Sequence, residues 1–124
     1  MKLALNQLII SQTIAFSMSL GFVREENLDV ETFMQILRRS ALYSPTFDKK
    51  LKNYLSRNFE NPNFPVKHLL KDLDLILNSY SEKKINVDSL KASRKILIDS
   101  IQKGYKDKDY SAIYNSIHLN KTES

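Results

Sequence analysis

Apolar residues recur at three- and four-residue intervals along most of this chain, the spacing of one buried helix face. A first helix is expected from about Lys2 to Arg24, and Glu25-Glu26-Asn27 breaks its pattern. Asp29 suits the N-cap of a second helix, with Thr32 at its third position and Val30, Phe33, Met34 and Leu37 as its buried stripe. Ser40 to Ser44 reads as a connection, since Pro45 drives Ser44 toward an extended backbone. Thr46 is the expected cap of a third helix that carries Phe47, Leu51, Tyr54 and Leu55 inward. Asn58 to Pro65, with Asn61-Pro62-Asn63 inside it, is the longest loop signal, and Pro65 fits the first turn of a fourth helix spanning about Val66 to Lys83. Leu69, Leu73, Ile76, Leu77 and Tyr80 give that helix its apolar face. Asp88 is expected to cap a fifth helix with Leu90, Leu97, Ile98 and Ile101 inward, and Gly104 to close it as a C′ residue. Asp109 is expected to cap a short sixth helix bearing Ile113, Tyr114 and Ile117. Residues 119–124 read as a frayed tail, leaving 1–118 as the folded domain.

Composition supports an all-α reading. The 124 residues include two glycines and three prolines, too few breakers for a turn-rich all-β chain. No internal repeat, low-complexity segment, Gly-x-Gly-x-x-Gly or βαβ pattern occurs, so the usual phosphate cradle at a strand–helix turn is missing from this stretch. Expected instead is a six-helix domain around a long, largely buried N-terminal helix.

That first helix has a rival reading. Lys2 followed by uncharged residues from Leu3 to Val23 has the length of a membrane span or a signal peptide. Asn6, Gln7, Ser11, Gln12, Thr13, Ser17 and Ser19 interrupt it, and Leu8-Ile9-Ile10 is far shorter than a secretory apolar core. Each buried amide in lipid would need an internal partner. A core helix packed on most sides by protein accounts better for the pattern.

The formal charge is +5, which raises the question of an anionic partner. Yet the basic residues are scattered. The densest groups, Asp48-Lys49-Lys50-Leu51-Lys52 and Tyr105-Lys106-Asp107-Lys108-Asp109, are interleaved with acids and apolar residues and read as ordinary solvated faces. No helix-turn-helix signature or aromatic–basic interleaving argues for nucleic acid. The absence of cysteine excludes disulfides, thiolate metal sites and a cysteine nucleophile, and fits a cytoplasmic setting. His68 and His118 lack ligand spacing, so no metal site is expected.

Four short segments, in order, carry a family likeness. Lys2-Leu3-Ala4-Leu5-Asn6 resembles the start of the long interdomain helix in the β-hydroxyacid (3-hydroxyisobutyrate) dehydrogenase superfamily, where a lysine is followed four positions on by an asparagine. Ser44-Pro45-Thr46-Phe47-Asp48-Lys49-Lys50 stands where that family has a similar loop. Phe64-Pro65-Val66-Lys67-His68-Leu69-Leu70-Lys71-Asp72-Leu73 resembles its Lys-Asp-Leu helix, with the Phe-Pro-x-Lys-His of the glyoxylate and succinic semialdehyde reductase branch. Asp109-Tyr110-Ser111-Ala112 resembles its late Asp-x-Ser-Ala.

The resemblance implies the C-terminal helical half of an NAD(P)-dependent enzyme, folded like the C-terminal domain of 6-phosphogluconate dehydrogenase. It implies that Lys2 is the catalytic lysine and that Asp72 orients it, that Asn6 and Phe64 contact a small hydroxy acid or aldehyde, and that Lys71 contacts NADP or NAD near the nicotinamide. The residue types suit the chemistry. Reducing a carbonyl builds alkoxide character on oxygen, which an ammonium stabilises and then protonates. Lys2 and Asn6, at i and i+4, share a helix face and can reach one small acid. Lys71 and Asp72 point about 100° apart, so one can face cofactor while the other faces Lys2.

Plainer readings stand beside these. Lys2 is also a charged residue in a first turn, Asn6 a group that satisfies nearby backbone, Lys71-Asp72 a solvated pair, Phe64 core, and Asp109 with Ser111 a helix cap. The likeness also has a gap: Met1 stands where the family has a glycine-containing turn preceded by a Rossmann domain. The expectation is a fragment or a half encoded alone, with weak NADP affinity and no catalysis until a nucleotide-binding domain is supplied. The alternative is a non-catalytic helical module that forms a homodimer or pairs with such a domain.

Overall fold

A computed structural model describes residues 1–119. Its order is α1 (Lys2–Glu25), α2 (Val30–Arg38), α3 (Pro45–Ser56), α4 (Val66–Ser81), α5 (Asp88–Ser100), a wide π turn (Ile101–Tyr105), a 3-10 turn (Tyr110–Ile113) and α6 (Tyr114–Ile117). The all-α expectation holds for the described residues. Residues 120–124 of the expected tail lie outside them, and Leu119 is exposed.

The core forms where α1, α4 and α5 bring their apolar stripes together. Ile10, Leu20, Leu69, Leu73, Ile76 and Leu97 are all essentially sealed from water, each contributing roughly 1.5–3 kcal/mol of burial. Phe16 of α1 stacks on Phe47 of α3 with ring centroids 4.5 Å apart and reaches Tyr54 at 5.6 Å. Within this chain α1 is covered along one flank only. Thr13, Ile14, Ser17 and Gly21 lie inward, while Leu5, Leu8, Met18 and Phe22 face outward. Among the described residues α1 is the helix whose length and hydropathy would suffice to cross a membrane. Its packed flank is that of a core helix, but the expectation of a largely buried helix packed on most sides is not met within this chain; Thr13 and Ser17 satisfy their hydroxyls on the carbonyls one turn back.

Several helix starts differ from expectation for local reasons. Asp29 caps α2 as foreseen, accepting the Thr32 amide at 2.9 Å and its hydroxyl at 2.7 Å. Ser44, not Thr46, is the N-cap of α3, because Pro45 occupies the first helical position, where its missing N–H costs nothing. Pro65 is likewise one residue outside α4, at the cap position, and α4 ends at Ser81. Asp88 falls inside α5; Asn86 accepts the Asp88 amide at 2.9 Å instead. Gly104 has φ of 94°, the left-handed conformation expected of a helix terminator.

Two of the charges expected on solvated faces lie in the interior. Lys50 and Asp109, both assigned to solvated faces, are buried. They form an ion pair of 3.0 Å linking α3 to the turn before α6. Two charges 59 positions apart can leave water together when each neutralises the other. Asp109 does act as a cap, accepting the Ser111 amide at 3.1 Å, but of the 3-10 turn that leads into α6 rather than of α6 itself, whose N-cap is Ile113.

Candidate active-site cleft

The N-terminal turns of α1 lie against the first half of α4, and a cleft of about 490 Å³ opens between them. From α1 come Lys2, Asn6 and Ile9, spaced by four and three so that they share one face. From α4 come His68, Leu69, Lys71, Asp72 and Leu75, again at helical spacing. Phe64 precedes α4, and Tyr110 enters from the 3-10 turn. All of Lys2, Asn6, Phe64, Lys71 and Asp72 therefore line one cavity, although about half the chain separates the first pair from the rest.

Among the described residues, one polar contact spans the cleft. The Asn6 side-chain amide donates to the Asp72 carboxylate at 3.1 Å. A carboxylate only accepts, so the Asn6 NH2 must face it, leaving the amide oxygen and the second N–H for other work. No ion pair joins Asp72 to Lys2, so any influence of Asp72 on the lysine runs through Asn6 and the shared field. The Lys2 and Lys71 side chains are exposed and have no hydrogen-bond or ion-pair partner among the described residues. Two uncompensated ammonium groups beside one engaged carboxylate make this cleft suitable for a small anion.

Its floor is held by backbone. The Phe64 carbonyl accepts the Tyr110 amide at 2.8 Å, and the Lys108 carbonyl accepts the Val66 amide at 2.9 Å, on either side of an isolated antiparallel bridge between Pro65 and Asp109. Asp109 fixes this pairing. Its carboxylate accepts from Lys50, from the Asn63 amide at 3.1 Å and from the Ser111 hydroxyl. Burial pushes the Asp109 carboxyl up, but hydrogen bonds from Ser111 and Lys50 and the Lys50 charge outweigh it and hold the group below the usual carboxylate value. The Lys50 ammonium also lies 4.8 Å from the centre of the Tyr110 ring. Phe64 meets His68 with ring centroids 5.8 Å apart, forming one apolar wall.

Sequence reasoning gave no role to Ile9, His68, Leu75 or Tyr110. The i, i+3, i+4, i+7 series from His68 to Leu75 marks one face of α4 and was readable. Nothing local marks Tyr110, which reaches the cleft through the pairing of Phe64 with Asp109-Tyr110.

A dinucleotide would find only part of its site in the described residues. Lys71 offers a free ammonium at the cleft, but no glycine-rich strand–helix turn is present to cradle a pyrophosphate.

Residues 1–117 match the family described as NAD-binding of NADP-dependent 3-hydroxyisobutyrate dehydrogenase. The sequence is 27% identical over 121 residues to glyoxylate/succinic semialdehyde reductase 1 of Arabidopsis thaliana, a match that covers 98% of this chain and 42% of that reductase. The fold superimposes on a crystal structure of 3-hydroxyisobutyrate dehydrogenase from Salmonella typhimurium with a TM-score of 0.76, at 16% identity, over 92% of this chain and 40% of the other. The chain thus spans about two-fifths of the length of each of these two relatives.

Proposed function

The chain belongs to the family described as NAD-binding of NADP-dependent 3-hydroxyisobutyrate dehydrogenase, whose members use NAD(P), and from that membership we propose that it forms the substrate-holding, lysine-supplying half of an oxidoreductase acting on a small hydroxy acid. The observation that carries this reading is the shared cleft of Lys2, Asn6, Phe64, Lys71 and Asp72.

In this reading the substrate's carboxylate is drawn in by the Lys2 and Lys71 ammonium groups, and its apolar carbons rest on Phe64. Lys2 gives its Nζ proton to the carbonyl oxygen as that oxygen gains charge, and takes it back when the alcohol is oxidised. Asn6, turned by Asp72, offers its free N–H to the same small molecule. The cofactor supplies or accepts the hydride, and Lys71 is the residue that would hold its nicotinamide end. A dinucleotide-binding domain must complete the site, whether from the same polypeptide or from another.

The test is reconstitution. The chain is mixed with, or fused behind, the dinucleotide-binding half of a reductase of this family, and NADPH oxidation is followed with glyoxylate and succinic semialdehyde. Activity should appear and fall by about 10²- to 10⁴-fold in Lys2→Ala, the usual contribution of a positioned acid–base group. Activity unchanged by that substitution removes Lys2 from the mechanism.

The outward apolar flank of α1, with Leu5, Leu8, Met18 and Phe22, favours a second reading as a self-associating module. Light scattering coupled to size exclusion separates the two: a clean monomer that also ignores the nucleotide-binding half argues against association.

A further inference from the structure

We propose that the Tyr110 hydroxyl is a substrate-binding group, donating its O–H to an oxygen of the small acid held between α1 and α4. The inference rests on the functional reading above and adds to it a contact that the Asp-x-Ser-Ala likeness leaves unspecified, since Tyr110 occupies the x position.

Three observations converge. Tyr110 lines the cleft and is only 8% exposed, so the surface it shows is small. Its phenol oxygen has no hydrogen-bond partner among the described residues, while none of their fully buried side-chain oxygens or nitrogens is left unpaired. The phenol oxygen therefore keeps some contact with solvent, and Tyr110 lines the cleft. The amide and ring of the residue are already engaged. Its amide donates to the Phe64 carbonyl, its ring lies under the Lys50 ammonium, and the flanking Asp109 is pinned by Lys50 and Ser111. A hydroxyl on a frame this fixed loses little freedom on binding.

The electrostatics set its role. Burial, followed by the nearby Asp109 charge, pushes the phenol up to about 12, so it keeps its proton at neutral pH. It therefore acts as a neutral donor beside the cationic rim formed by Lys2 and Lys71. A phenol O–H directed at a carboxylate or alkoxide oxygen forms a charge-assisted hydrogen bond, stronger than a neutral one.

The test uses the chain itself with 4-hydroxybutyrate and glycolate as probes, followed by NMR with 13Cζ-labelled tyrosine. In the wild type, saturable shifts of the Asn6, Lys71 and Asp72 amides should be accompanied by movement of the Tyr110 Cζ signal. Tyr110→Phe keeps the ring over which Lys50 sits and should weaken binding about tenfold or more. If the amides report binding but the Cζ signal stays fixed, or Tyr110→Phe binds equally well, the proposal fails while the functional reading stands. If no probe shifts the cleft amides, both fall together. Should Tyr110→Phe not fold, the wild-type Cζ signal decides alone.

Discussion

Asn6 and Asp72, 66 positions apart in sequence, meet across the mouth of the cleft in a hydrogen bond of 3.1 Å. The contact ties the start of α1 to the middle of α4 and sets which edge of the Asn6 amide faces the cavity. A double-mutant cycle of Asn6→Ala and Asp72→Ala should therefore be non-additive by about 1 kcal/mol, the scale of a partly buried bond to a charged acceptor. Urea unfolding of the four proteins measures it. Strict additivity would show that the contact contributes nothing to stability.

Lys50 and Asp109 are expected to behave differently from surface pairs. Removing either partner leaves the other charge buried, so Lys50→Ala should cost about 3–5 kcal/mol. Arg94 and Asp74, joined at 2.7 Å on the surface, should cost no more than about 1 kcal/mol when broken. Parallel denaturant titrations of Lys50→Ala and Arg94→Ala check the contrast.

Acid stability should depend on Asp48. Hydrogen bonds from Arg38 and Tyr43 lower its folded value from the usual 3.8 to about 2. Between those values the unfolded chain binds the extra proton, so stability rises with pH there. The contribution of Asp48 is present above pH 4 and drains away as pH falls toward 2. Arg38→Gln should flatten this part of the stability–pH curve, read by thermal melts from pH 2 to 5.

Gly21 offers a packing test. A Cβ at this position would lie 3.0 Å from Cβ of His118 and 3.2 Å from its Cγ. His118 is held by Glu25 at 2.9 Å, Tyr114 at 2.7 Å and Arg57 at 3.1 Å. Gly→Ala within a helix normally gains about 1 kcal/mol. Here the gain should vanish or reverse as His118 is displaced, visible as an unchanged or lowered melting temperature for Gly21→Ala.

The sequence made the periodic elements readable and left the long-range pairings hidden. The extent of α1, the Asp29 cap, the loop before α4 and the left-handed Gly104 all follow from signals within a few residues of each position. Cap identities slipped by a residue or two at Ser44, Pro65 and Asp88, because neighbouring cap-competent side chains differ only in geometry that local sequence does not encode. Lys2, Asn6, Phe64, Lys71 and Asp72 were legible through the family likeness, and the structure brings them to one cleft. Lys50 was misjudged because a lysine among lysines reads as solvated unless its distant carboxylate is known. Tyr110 was missed for the same kind of reason, since it reaches the cleft through a main-chain bond to Phe64, 46 positions earlier.

That bond has an implication for altering what the cleft accepts. Phe64 and Tyr110 are anchored through their peptide groups, and the anchor is tightened by Asp109, which does not line the cavity. On the proposed reading, the ring at position 64 and the hydroxyl at position 110 are the parts to exchange, because the main-chain bond that joins their residues uses neither side chain. Redesign of ligand preference can begin at those two side chains, provided Asp109 and its lysine are left alone.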